Sequence, residues 1–170
     1  GKGNNIWVGT RNGLNKINKD DMTVEKYKVE DGLIDNNIKG LFIDEKNNLW
    51  IGTPIGLTVL NIETNEITDF TSRLIKAGIK EPYVRTVYED KDEDGVYWIG
   101  GYISEGLIKF DINKDTIEMY SKYEENGKQV IVNTIRTIVE DEENNLWIGT
   151  NSGLLKFNKI DKKFKSYTEK

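Results

Sequence analysis

Hydrophobic and polar residues alternate in short runs along most of the chain. Residues 38–44 (IKGLFID), 48–53 (NLWIGT), 56–61 (GLTVLN) and 66–70 (EITDF) alternate or are rich in β-branched residues. Asn, Gly and Asp punctuate the gaps between them, so each run reads as a short strand ended by a turn. No stretch carries a helical period, and no helix is expected.

The runs recur. NNIWVGTRNGL (4–14), NNLWIGTPIGL (47–57) and NNLWIGTNSGL (144–154) are nearly one phrase, and GVYWIGGYISEGL (95–107) is a worn copy. The tryptophans Trp7, Trp50, Trp98 and Trp147 lie 43, 48 and 49 residues apart. Four antiparallel strands in a unit of that length make a β-propeller blade. The expected fold is therefore all-β, a partial propeller of about four blades. The blades run 1–29 (lacking a first strand), 36–71, 83–121 and 133–168, with strands A to D in order. An incomplete first blade leaves an unpaired edge at Ile6–Thr10, and an open set of blades leaves apolar faces, so self-association is expected. A compact four-bladed monomer is the competing geometry.

Within each unit, both faces of strand B are expected to be buried between neighbours. Trp50 faces one side and Leu49 and Ile51 the other, with Gly52 leaving room for the next blade. The tryptophans are thus read as packing groups. Asn47-Asn48 and Asn144-Asn145 suit the positive φ of the A–B turns. The glycine opening strand C always precedes an aromatic closing strand D by 14 residues (Gly13 to Tyr27, Gly56 to Phe70, Gly106 to Tyr120, Gly153 to Tyr167). The D–A connections vary instead, at 11, 14 and 15 residues, and the B–C turn after Trp98 is two residues longer. These connections share one face of a blade, and variable length there marks the binding face.

Composition narrows the chemistry. The chain has 170 residues, 36% hydrophobic and 31% charged, with a net charge of −5. That balance argues for a folded chain, and acidity argues against a nucleic-acid partner. No apolar run has a membrane span's length, so no membrane contact is expected from this segment. The opening residues read as a cut end, as though the chain were a piece of a longer propeller. There is no cysteine and no histidine. Thiol chemistry, His-based acid–base catalysis and His-ligated zinc are thereby excluded within the chain.

Three sets of residues remain as candidates. DKDEDG (90–95) matches the opening of a calcium loop, with Asp90, Asp92 and Asp94 as oxygen ligands and Gly95 for the bend. Its twelfth position is Gly101, not a bidentate Glu, and an acidic solvated turn is the simpler reading. Calcium is the only cofactor these residues suggest. Lys39, Arg85 and Arg136 share one register near the start of strand A and could form a cationic collar for an anionic ligand. Pairing with a neighbouring blade would explain them equally. The long D–A connections 71–83 and 121–133 carry Arg73, Lys76, Lys80, Tyr83, Tyr123 and Lys128. Tyr102 and Ser104 add to the same face, and an aromatic with fork-like donors suits a sugar. The acidic pairs Glu89-Asp90 and Glu140-Asp141 occupy a repeat position, which speaks for structure. The Lys- and Glu-bearing turns on the opposite face read as solvated.

The phrases EDEENNLWIGTNSGLLKFN (140–158) and IDEKNNLWIGTPIGL (43–57) resemble the two-component regulator propeller repeat. NTIRTIVEDEENNLWIGTNSGLLKFN (133–158) follows its pattern nearly throughout, while the third copy departs from it most, with Gly101 in place of Thr. The resemblance implies part of the extracytoplasmic sensor region of a bacterial hybrid histidine kinase or related signalling protein. It implies a non-catalytic segment that binds a carbohydrate or other small ligand on the D–A/B–C face. A passive protein-interaction scaffold is the alternative. A propeller lyase is a weaker one, because such enzymes look to depend on a histidine.

Overall fold

The computed structural model describes residues 4–132 and 134–167. Expectations for residues 1–3, 133 and 168–170, which include the outer limits of the first and fourth blades, lie outside them. The chain divides into two compact units, Gly1–Val84 and Arg85–Lys170.

In the first unit, β1 (Asn5–Thr10), β2 (Gly13–Asn18) and β3 (Val24–Tyr27) form a three-stranded sheet. β4 (Gly40–Ile43), β5 (Asn48–Thr53), β6 (Gly56–Asn61) and β7 (Ile67–Asp69) form a four-stranded one. The second unit has two four-stranded sheets. One is β8 (Tyr83–Glu89, which begins at the end of the first unit), β9 (Val96–Tyr102), β10 (Leu107–Asp111) and β11 (Thr116–Tyr120). The other is β14 (Ile135–Glu140), β15 (Asn145–Thr150), β16 (Gly153–Asn158) and β17 (Lys163–Tyr167). Neighbours in sequence are neighbours in each sheet, the pairing is antiparallel, and no sheet closes on itself.

Two connections differ from expectation. Residues 71–83 are not all loop: Thr71–Lys76 form a short helix, α1, with Thr71 and Leu74 buried. Six residues span fewer than two turns, too few for an apolar period to be visible. Residues 121–133 carry a hairpin, β12 (Lys122–Glu125) and β13 (Lys128–Ile131). Its turn is Asn126-Gly127, with φ of 52° and 72°. Asn-Gly is the preferred pair for a two-residue hairpin turn, because both positions need positive φ. The pair is a local hairpin signal in the sequence. The A–B turns also need less than expected: only Asn47 and Asn144 take positive φ (59° and 62°), and Asn48 and Asn145 open the strands that follow.

Strand B has the expected two-sided burial where both sides are covered. Trp50, Leu49 and Ile51 are all buried. In the first unit, Leu49 and Ile51 pack with Leu14, Tyr27, Leu33 and Ile38 in one core, with Trp7 against it. In the second, Leu146 and Ile148 pack with Trp98, Leu107, Ile135 and Phe157. The indole of one sheet thus meets the aliphatic side of the next. Each fully buried Leu or Ile contributes about 1.5–3 kcal/mol. The strand-B glycines make the close approach possible. A Cβ on Gly9 would meet Ile38, one on Gly100 would meet Ile135, and one on Gly52 would lie 2.8 Å from the Val84 carbonyl oxygen.

The constant 14-residue spacing has a physical cause. It places the strand-D aromatic on the strand-B indole in every sheet. Ring centroids are 5.8 Å apart for Trp7–Tyr27, 5.2 Å for Trp50–Phe70, 6.1 Å for Trp98–Tyr120 and 5.2 Å for Trp147–Tyr167. Three indoles also carry a lysine from strand C: Lys16 over Trp7, Lys109 over Trp98 and Lys156 over Trp147, at 5.3–5.7 Å. These are cation–π contacts between cross-strand partners.

Candidate functional site

The repeated aspartate before strand B is a structural anchor. Trp50 Nε1 donates to Asp44 Oδ2 at 2.9 Å, Trp98 Nε1 to Asp90 Oδ2 at 2.7 Å and Trp147 Nε1 to Asp141 Oδ2 at 2.7 Å. The other oxygen caps the A–B turn: Asp90 Oδ1 accepts the amides of Asp92 (3.0 Å) and Glu93 (3.1 Å). The run 90–95 therefore begins with an aspartate committed to its own turn and its own tryptophan.

Asp90, Asp92 and Glu140 lie close enough to share a cation, and Asp94 is not in that group. The cation among them is an ammonium. Lys159 Nζ is 3.0 Å from both Asp90 oxygens and 3.2 Å from Asp92 Oδ2, and it also pairs with Glu140. The side chains of Asp90 and Glu140 are fully buried and that of Lys159 is 9% exposed. Burial pushes the Asp90 carboxyl up, but the Trp98 indole, the Asp92 amide and Lys159 outweigh it and hold the group below its ordinary value. Burial likewise works against the charged Lys159, yet Glu140 and Asp90 raise it well above the usual lysine range. The Tyr88 phenol, desolvated beside Glu140, is pushed up to about 12. Lys159 sits in a C–D turn, so the expectation that these turns are merely solvated fails here. The equivalent positions are Lys19, Ile62 and Ile112, so the lysine is shared with the first copy and does not by itself signal the ion pair.

The cationic candidates are spread over several elements. Lys39 immediately precedes β4, and Arg85 and Arg136 lie on β8 and β14, each the first strand of its sheet. Arg136 is the extra residue of a β-bulge between Ile135 and Thr137, and its Nε donates to Asn151 Oδ1. A bulge re-aims a side chain, here toward its own B–C turn. Arg73, on α1, stacks its guanidinium 4.6 Å from the Phe70 ring centroid. Tyr83 opens β8 half-buried, Tyr102 closes β9 exposed, and Lys128 opens β13 exposed. Tyr123 is not an open platform: its ring packs on Phe164 at 5.6 Å.

That contact seats the β12–β13 hairpin on the sheet β14–β17. Val132 is buried in the same core, and its amide donates to the Ser121 carbonyl at 2.7 Å. Between hairpin and sheet lies a cleft of about 180 Å³. It is bounded by Tyr123, Glu125 and Val130 on the hairpin side and by Ser152, Leu155 and Ser166 on the sheet side. Among the described residues no helix is long and apolar enough to cross a membrane.

Residues 32–54 and 129–152 match the two-component regulator propeller family. These are the second and fourth copies; the matches leave out the truncated first and the worn third. The extracellular domain of BT3049 from B. thetaiotaomicron, assigned to a hybrid two-component system, is 27% identical over 98% of this chain, with a TM-score of 0.79. The extracellular domain of BT4673 from the same organism, also assigned to a hybrid two-component system, is 19% identical over 99%, with a TM-score of 0.77. An ancestral GH74 enzyme is 12% identical over 98%, with a TM-score of 0.68, a likeness of fold alone. This chain spans only 21–22% of those three chains. No curated protein matches it. Two stretches of the chain are thus similar to two-component regulator propeller repeats, and its four-stranded sheets are propeller blades.

Proposed function

We propose that this chain is a ligand-sensing segment of an extracytoplasmic two-component sensor and performs no catalysis of its own. The observation that carries the reading is the 27% identity, over nearly the whole chain, to the extracellular domain of a hybrid two-component system. The absence of histidine and cysteine supports a non-catalytic role, because the commonest general base and the thiol nucleophile are missing. The ligand is a carbohydrate or similarly small polar molecule. It is bound at the variable connections of the second unit, the β12–β13 hairpin and the longer B–C turn. These connections vary between blades while the sheets repeat, which is the division expected between binding loops and scaffold.

Thermal-shift screening against oligosaccharides tests this. A saturable rise in melting temperature is expected, and silence across neutral, amino and acidic sugars would instead favour a passive scaffold. Self-association is proposed as well. Ile6 and Val8 are exposed where their counterparts Leu49 and Ile51 are buried, on a strand with one unpaired edge. Light scattering should show a mass above 19.5 kDa that falls with dilution.

A further inference from the structure

We propose that the cleft beneath the β12–β13 hairpin binds one small polyhydroxylated ring, neutral or amine-bearing, and discriminates against acidic ones. This rests on the ligand-sensing reading and gives it a place and a charge preference. The cleft's volume of about 180 Å³ falls below the ~300 Å³ at which pockets for drug-sized ligands begin. It has room for a single ring and not for a chain of them.

The walls fit such a ring in kind as well as size. Leu155 forms the sheet-side floor, and Val130 and Val132 face the cleft from the hairpin end. Leu155 supplies an apolar surface for the C–H face of a sugar, and Ser152 supplies a hydroxyl from the B–C turn for its edge. Thr150 adds none: its hydroxyl already donates to the Gly153 carbonyl at 2.9 Å and accepts the Ser152 amide at 3.1 Å.

The charge preference comes from Glu125. Its carboxylate lines the cleft and forms no ion pair or hydrogen bond among the described residues. An ionised carboxylate only accepts, so it pairs with O–H or N–H donors and most strongly with an ammonium. A ligand carboxylate would meet like charge there. Among the described residues no cation lines this cleft, although Lys128 is the cross-strand partner of Glu125 at the hairpin's end. The hairpin is held by Tyr123 on Phe164 and by buried Val132, so the cleft exists before any ligand arrives.

The test is calorimetric titration of the whole chain with glucose, glucosamine and glucuronate, using wild type, Glu125→Gln and Ser152→Trp. Ser152 is exposed in a turn, so its tryptophan variant should keep the wild-type melting curve while filling the cleft. Glucosamine should bind best and glucuronate worst, and Glu125→Gln should cost glucosamine about 2–5-fold, the worth of one partly exposed ion pair. Ser152→Trp should cost all three at least about tenfold. Unchanged binding in a folded Ser152→Trp variant would overturn the cleft and leave the sensing reading standing. Tightest binding of glucuronate would overturn it too, pointing to the arginine-bearing strands. Failure of all three sugars to bind wild type would also overturn it, while the oligosaccharide screen decides the broader reading separately.

Discussion

The indole N–H of Trp98 donates to Asp90 Oδ2 at 2.7 Å, and Lys159 Nζ grips the same carboxylate from the adjacent sheet of its unit at 3.0 Å. One aspartate thus shapes its own turn, anchors its own tryptophan and joins two blades. Phenylalanine at Trp98 would keep an aromatic ring against Tyr120 and Phe157 but remove the donor and part of the buried ring. A hydrogen bond to a charged group contributes about 1.5–3 kcal/mol. Trp98→Phe should lower unfolding free energy by at least that amount in urea titration, because the cavity adds to it, with an unchanged m-value. A loss below ~0.5 kcal/mol would show the anchor to be incidental.

Lys159→Met should be more damaging. It leaves Asp90 and Glu140 buried without their counter-charge, and breaking such a pair costs about 3–5 kcal/mol. By contrast, Lys162 pairs with Glu118 at 2.8 Å on the surface, and Lys162→Met should cost no more than ~1 kcal/mol. Equal losses in the two variants would refute the distinction between them.

The same groups set the pH limits of stability. Asp90 and Asp141 are held below the ordinary carboxyl value of 3.8 in the folded chain. The stabilisation they supply is complete above that value and is lost as pH falls through their lower folded values. Lys159 is held above the ordinary 10.5, so its share is complete below that pH and is lost as pH rises through the raised value. Melting temperature should therefore fall at both extremes. Lys159→Met should remove the alkaline loss attributable to this residue, while the acid loss carried by Asp141, which Lys159 does not touch, should persist.

Calcium should leave the wild-type melting temperature unchanged, because an ammonium already occupies the space among Asp90, Asp92 and Glu140. Differential scanning fluorimetry with millimolar calcium and then chelator checks this. A chelator-reversible shift would mean that the ion displaces Lys159 or binds elsewhere.

Gly52→Ala should cost about 1–3 kcal/mol, the usual penalty for overpacking. The new Cβ would lie 2.8 Å from a backbone oxygen, Val84 O, which cannot swing aside as a side chain can. At Gly149 the nearest obstacle is the Thr137 methyl, also at 2.8 Å, and a rotamer change relieves it. Urea titration should therefore rank Gly149→Ala as the milder substitution.

What repeats was legible in advance, and what occurs once was not. Strands β5 and β6 begin and end where the punctuation around NLWIGT and GLTVLN placed them, because alternation and turn residues are local signals. The tryptophan's role in packing followed from the need to cover both faces of each sheet. The cross-blade bond of Lys159 did not follow, since it joins residues 69 apart and no local pattern connects them. The hairpin at 122–131 belongs in between: Asn126-Gly127 signalled it locally, but the low hydrophobicity of KYEENGKQ masked the strands. The candidate binding groups were hardest to read. Tyr123 has the composition of a sugar platform, and only its contact with Phe164 reveals it as the hairpin's foot.

Inside each compact unit one sheet meets the next through the same joint: a glycine on strand B receives an isoleucine at the start of the following blade, Gly9 with Ile38 in the first and Gly100 with Ile135 in the second. Such a coupling is interchangeable. A gene that duplicates or drops one unit inherits a matching plug and socket at the new seam, so array length is free to drift in evolution while the turns at one end diversify independently.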